Sequence, residues 1–172
     1  MRVILVSLAF NLFWFAAVVG QNSLLPFLVL ALIGAMFIDR GVIIAIPLFA
    51  LIGIAGDTVL MRNQILNFDT AFLPLWLCLL WAGFGAYVWL LRDWLLDKNV
   101  GLLIAVGSLG GAASYLAGER FDAVQFGLPY WSNAMVIAAA WAIYSMVFLS
   151  LLKFFHLKGK TWWHSNTATI KK

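Results

Sequence analysis

The sequence predicts an all-α integral membrane protein, a compact bundle of six transmembrane helices with both termini inside. Three observations carry that expectation. Of 172 residues, 65% are hydrophobic and 10% charged; a soluble domain carries roughly 25% charged residues, so this chain cannot cover a water-facing surface. The apolar residues fall into six runs, each bounded by a polar pair or cluster. Threaded alternately through a bilayer, those runs leave the basic residues on one side.

The runs are 3–20, 24–38, 42–61, 70–91, 101–117 and 131–155. A crossing takes about 20 apolar residues, with a range of ~17–25. The first run follows Arg2 but is longer than the ~7–15 apolar residues of a signal peptide. No small-x-small cleavage site precedes Gln21-Asn22, so it is expected to persist as a helix. The second run is at the low edge of what crosses. Its flanks Gln21-Asn22 and Asp39-Arg40 suit tight helical hairpins, with a re-entrant segment as the alternative. In the fourth run Trp76, Trp81 and Trp89 are expected to serve as interfacial belts and packing. Arg92-Asp-Trp-Leu-Leu-Asp-Lys98 suits a short amphipathic loop at the inner interface. The fifth run carries Gly107, Gly110, Gly111, Ala112 and Ala113, a smooth face that admits another helix's backbone. A helix–helix partner is expected on Gly107 and Gly111, and Gly118 is expected to cap the helix. The six runs show no internal repeat.

With the N-terminus inside, Arg2, Arg40, Arg92, Lys98, Lys153, Lys158, Lys160, Lys171 and Lys172 are cytoplasmic, against Arg62 and Arg120 outside. Nine against two obeys the positive-inside rule, and merging early runs spoils it. Residues 1–155 are then one transmembrane domain, and 156–172 a basic, aromatic cytoplasmic tail lying on anionic headgroups. Those charges are used for orientation, so no nucleic-acid partner is expected.

Several familiar chemistries are excluded. Both histidines, His156 and His164, lie in the tail, and Cys78 is the one cysteine. No metal cluster, Ser-His-Asp set, HExxH, P-loop or GxGxxG is present, so neither metal nor cofactor is expected. What remains is a set of polar residues at the outer end. Asp57 follows about fifteen residues of the third run, which at ~1.5 Å per residue puts it in the outer leaflet. An ionisable group in a span costs about 2.5–3.5 kcal/mol at mid-bilayer. A bundle-facing Asp57 partnered by Arg120 or Arg62 is one expectation, and a helix-end carboxylate reaching headgroup water is the other. Glu119, Arg120 and Asp122 follow Gly118. They form either a solvated loop with an ordinary ion pair or a lid of carboxylates around one guanidinium above Asp57. Unlike carboxylates can act as acid and base, which makes Asp57, Glu119 and Asp122 the candidate catalytic residues. Arg120 can hold a phosphate or carboxylate headgroup. Asn11 and Tyr115 are candidate substrate-binding residues, or else bond between helices, as do Asn133, Tyr144 and Ser145.

Four stretches carry a family resemblance: Phe10-Asn-Leu-Phe-Trp-Phe15, Leu73-Pro-Leu-Trp-Leu-Cys-Leu-Leu-Trp81, Tyr115-Leu-Ala-Gly-Glu-Arg-Phe-Asp-Ala-Val124 and Trp141-Ala-Ile-Tyr144. Together they resemble small bacterial inner-membrane proteins grouped as the domain-of-unknown-function 2878 family. The resemblance covers nearly the whole chain. It departs at Gly111, followed here by Ala112 where the family pattern implies Gly-Pro, which removes a kink. Association of such proteins with enzymes that modify fatty acyl chains implies lipid partners. Leu51-Ile-Gly-Ile-Ala-Gly-Asp-Thr-Val-Leu60 is similar, over one helix, to lysoplasmalogenase membrane enzymes. The functional expectation is lipid or fatty-acyl handling in the bacterial inner membrane. If it is catalytic, the chemistry is cofactor-free acid–base work on a lipid, hydrolysis included. The alternatives are a small proton- or cation-coupled carrier and a non-catalytic scaffold.

Overall fold

The computed structural model describes residues 1–169, with side chains described as far as Leu157. It is helical apart from short connections and a two-residue ladder. Helix α1 spans Arg2–Gly20, followed by a 3₁₀ turn at Gln21–Leu24 and α2 at Leu25–Ile38. Gln21 takes φ 44°, which stops α1, and a proline in the first turn of α2 suits a helix start, where its missing N–H is not needed. Val6 at the start of α1 and Ala35 and Met36 at the end of α2 pack on the same cluster of Val42, Ala86 and Leu90. The chain therefore folds back between the two helices.

Helix α3 spans Val42–Arg62 and α4 Leu75–Leu90. The fourth apolar run begins five residues before α4, because Pro74 is the N-cap and the region before a proline disfavours helix. Helix α5, Arg92–Leu96, stands where a loop is expected, and α6 covers Val100–Arg120. Asn99 caps α6 by accepting the Leu102 N–H at 3.0 Å. The expected stop at Gly118 is passed: α6 continues to Arg120, and Asp122, at φ 56°, turns the chain. Helix α7, Tyr130–Thr169, runs on through 156–169 of the expected tail; residues 170–172 lie outside the described residues.

Arg2–Ile38, Val42–Arg62, Val100–Arg120 and Tyr130–Leu157 are each long and apolar enough to cross a membrane, and Leu75–Leu90 is a shorter apolar helix. The chain is an all-α, multi-pass membrane protein. Its strongest pairings are α3 with α4 and α6 with α7, while α1 and α2 lie against α4. Glycines set the close approaches. A Cβ on Gly53 would fall 2.0 Å from the Trp81 ring, and one on Gly111 2.0 Å from that of Trp141. Ser145 Oγ would stand 2.1 Å from a Cβ on Gly107. The Gly107/Gly111 face is therefore taken by α7 of the same chain.

Two clamps close the ends. At one, β1 (Leu66–Asn67) and β2 (Gln125–Phe126) pair antiparallel, Leu66 opposite Phe126. A Cβ on Gly127 would fall 1.7 Å from the Gln64 carbonyl oxygen. Gly127→Ala is expected to cost about 1–3 kcal/mol and to open this ladder. Hydrogen exchange at the Gly127 amide, which donates to the Ile65 carbonyl at 3.2 Å, should speed up; unchanged protection would show that the loops do not depend on the contact.

At the other end Arg92 Nη1 donates to Asp39 Oδ2 at 2.7 Å and to the Trp89 carbonyl at 3.0 Å, with the guanidinium 4.7 Å above the Trp89 ring. Burial raises the Asp39 pKa, but hydrogen bonds from Arg92 and the Gly41 N–H outweigh it and hold the carboxyl below its usual range. A lowered folded-state pKa stabilises above the unfolded value, about 4, and the stabilisation is lost as pH falls through the folded one. Acidification below pH ~4 should therefore loosen this clamp in the wild type. An Arg92→Met variant should show no such acid step in thermal melts, and an equal step in both would exclude the pair as its source.

Candidate functional site

The site grows from one carboxylate. Asp57 lies on α3, five residues before its end, and is fully buried. Nothing else on its own helix face competes for the position, because Gly53 one turn earlier leaves room for the Trp81 ring. Trp81 Nε1 then donates to Asp57 Oδ2 at 2.6 Å, and the Tyr115 hydroxyl, from α6, donates to the same oxygen at 2.5 Å. Oδ1 has no hydrogen-bond partner. Aromatic rings enclose the group. Trp141 stacks on Trp81 with centroids 5.2 Å apart, and Tyr144 meets Trp81 edge-on at 5.4 Å. The Tyr144 hydroxyl faces Gly56, where a Cβ would meet it at 1.9 Å. Three further buried donors lack partners, Trp89 Nε1, Trp141 Nε1 and Asn133 Nδ2, although Asn133 Oδ1 accepts the Leu128 N–H at 3.3 Å.

Of the residues expected here, the structure brings together Asp57 and Tyr115. Asp57 does not pair with arginine: among the described residues the ion pairs are Arg92–Asp39 and Lys98–Asp97. The reason is depth. Arg62 and Arg120 end α3 and α6, whereas Asp57 and Tyr115 each lie five residues inward and are level with one another. Glu119 is half-buried, and Arg120 and Asp122 are exposed at the mouth. Asn11 is exposed on α1, and its amide donates to the Ser7 carbonyl one turn back at 2.8 Å; it faces away from the site. The sequence assigns Trp81 to belts and packing, and Trp141 appears there only within a family stretch. The signal that could have marked them is the i, i+4 pairing of Gly53 with Asp57 and Gly111 with Tyr115, each glycine making room for a tryptophan.

One carboxylate with two aromatic donors is no metal-ligand set, and among the described residues no three His, Cys, Asp or Glu gather. Asp57 Oδ1 is instead a buried acceptor without a hydrogen-bond partner. A cleft of about 420 Å³ is lined by Thr58, Met61, Arg62, Ala71, Phe72 and Leu73. It joins one guanidinium to an apolar wall.

The family model described as "Protein of unknown function (DUF2878)" matches residues 3–147. The chain belongs to this family. The matched region includes Asp57, Trp81, Tyr115, Trp141 and Tyr144, so the whole site lies inside the family domain. No curated protein and no solved structure matches the chain, and the one-helix likeness to lysoplasmalogenases finds no support there.

Proposed function

We propose that the protein crosses the bacterial inner membrane six times, with both termini cytoplasmic, and acts on a lipid or fatty-acyl substrate with Asp57 as its proton-exchanging group. The six-crossing reading is supported by the fold-back at Gln21, which divides Arg2–Ile38 in two, and by a short α4 buried behind its neighbours. The charge asymmetry then sets the orientation. The functional reading rests on one observation: Asp57, buried in a membrane helix without a cation, keeps one oxygen unbonded, and Thr58, next in sequence, lines an amphipathic cleft. Intramembrane carboxylates are costly and mark functional sites. A cleft pairing Arg62 with Met61, Ala71, Phe72 and Leu73 fits a ligand with an anionic head and an apolar body. Arg120, Glu119 and Asp122, at the mouth, serve the polar head rather than the reacting atoms.

The test is a quantitative lipid profile of cells lacking the protein, complemented with wild type or with Asp57→Asn. Asparagine keeps an acceptor for Trp81 and Tyr115 but cannot exchange a proton. A lipid that accumulates in the deletion and again with Asp57→Asn supports the reading and names the substrate; an unchanged profile removes it. A second reading, a proton-coupled carrier, is favoured by the absence of any ion pair on Asp57. It requires proton-dependent uptake in proteoliposomes that Asp57→Asn abolishes. The scaffold alternative would need a surface other than the part of the Gly107/Gly111 face that packs on α7.

A further inference from the structure

Hydropathy shows no repeat among the helices, but the site does. Helices α3 and α6 are both 21 residues long and coincide on adding 58 to the number of α3. Val42/Val100, Ile46/Ile104, Leu51/Leu109, Gly53/Gly111, Ala55/Ala113 and Arg62/Arg120 are then identical pairs. The turns that follow also correspond. Gln64 has φ 57° and Asp122 φ 56°. Ile65 N donates to the Leu60 carbonyl at 2.9 Å, and Ala123 N to that of Gly118 at 2.9 Å. Each turn leads into a strand of the same ladder; Pro74 and Pro129 precede the returning helices but stand 55 apart and are not equivalent positions.

The returning helices match with an offset of 60. Trp81-Ala82 on α4 corresponds to Trp141-Ala142 on α7. Trp81 lies on Gly53 as Trp141 lies on Gly111, and in each case the nearest ring atom is 2.0 Å from the added Cβ. The cross-contacts correspond as well. Trp81 meets Tyr144 at 5.4 Å and 89°, and Trp141 meets Phe84, the counterpart of Tyr144, at 5.1 Å and 84°. The stack of Trp81 on Trp141 maps onto itself. Because α3 and α6 both run toward the ladder, the relating axis is parallel to the bundle, as in parallel-repeat membrane proteins.

We propose that residues 42–90 and 100–150 are two copies of one helix–turn–strand–helix unit, with Asp57 and Tyr115 as equivalent residues meeting on their axis, and that this axis is a composite binding site for the hydroxyl end of a lipid. The symmetry accounts for the unpartnered indole. Trp81 N–H has Asp57 as its acceptor, while Trp141, its counterpart, has the unit carrying tyrosine in place of the acid, and its N–H is left without a partner. A lipid O–H donates to Asp57 Oδ1, and an oxygen of the same group accepts from Trp141 Nε1. This ligand class rests on the lipid reading above; the repeat does not.

Exchanging the two residues tests the repeat through stability alone. In the wild type, Trp81→Phe removes a hydrogen bond and should lower the melting temperature in detergent by about 3–10 °C. Trp141→Phe should change it by less than about 2 °C. In an Asp57→Tyr/Tyr115→Asp variant the acid faces Trp141, so the sensitivities should reverse: Trp141→Phe becomes the costly change and Trp81→Phe the neutral one. An exchange variant that fails to fold, or that remains sensitive at Trp81, overturns the repeat. The ligand class is tested separately with 1-dodecanol and dodecane at pH 8. The alcohol should raise the wild-type melting temperature and not that of Trp141→Phe. Equal shifts with dodecane, equal shifts in both proteins, or no shift in the wild type exclude this ligand class, whatever the exchange variant shows.

Discussion

Gly111→Ala is expected to lower stability by about 3 kcal/mol or more, the upper end of what an added methyl costs in a packed core. The added carbon would lie 2.0 Å from Trp141 Cδ2, a distance at which helix α6 or the indole must move. The indole has little freedom, being stacked on Trp81 and held edge-on by Phe84 at 5.1 Å. Gly53→Ala should act similarly against Trp81 and in addition displace the donor to Asp57. Unfolding in a mixed-micelle titration measures both. Adding Trp141→Ala to Gly111→Ala should restore part of the loss, since the smaller side chain makes room for the methyl. If the pair is simply additive, the contact does not limit the approach of α6 and α7.

Asp57→Leu should be the most damaging single change in the polar core. Leucine fills the space but accepts nothing, so the Trp81 N–H and the Tyr115 O–H are both left buried without partners. At about 1–3 kcal/mol for each unsatisfied donor, the loss is about 2–6 kcal/mol. Asp57→Asn keeps an acceptor oxygen and should remain within about 1–2 kcal/mol of wild type. The difference between the two variants separates the architectural work of this residue from its chemistry. If leucine is tolerated as well as asparagine, the two donors are not held by Asp57 and the site described here is not the one that organises the core.

Most of the helical architecture was legible because hydropathy is a one-dimensional property: long apolar runs and the polar pairs between them locate α1 to α4, α6 and α7 directly. Asp57 was legible for the same reason, as an acid inside an apolar run. Its partners were not. Opposite charge made Arg120 and Arg62 the natural candidates, but partner choice depends on depth along neighbouring helices, and there Tyr115 and Trp81 are level with the carboxylate. Asn11 fails differently. Nothing in an apolar run says which way a helix is rotated, and α1 turns its amide outward to its own Ser7 carbonyl. The likeness between α3 and α6 escaped notice because apolar positions interchange freely, leaving two glycines and two tryptophans to carry it.

The lengths of the helices also bear on the membrane around them. Helix α4 has 16 residues, about 24 Å at 1.5 Å per residue, too short for a hydrocarbon layer of about 30 Å. Left facing lipid, it would thin the bilayer or tilt its neighbours. Helices α1, α2 and α3 lie against it instead. Helices α3 and α6, at 21 residues each, measure about 32 Å, close to the thickness of an unperturbed bilayer. The mismatch falls at the start of α4, where Pro74 is buried and residues 69–72 before it are exposed.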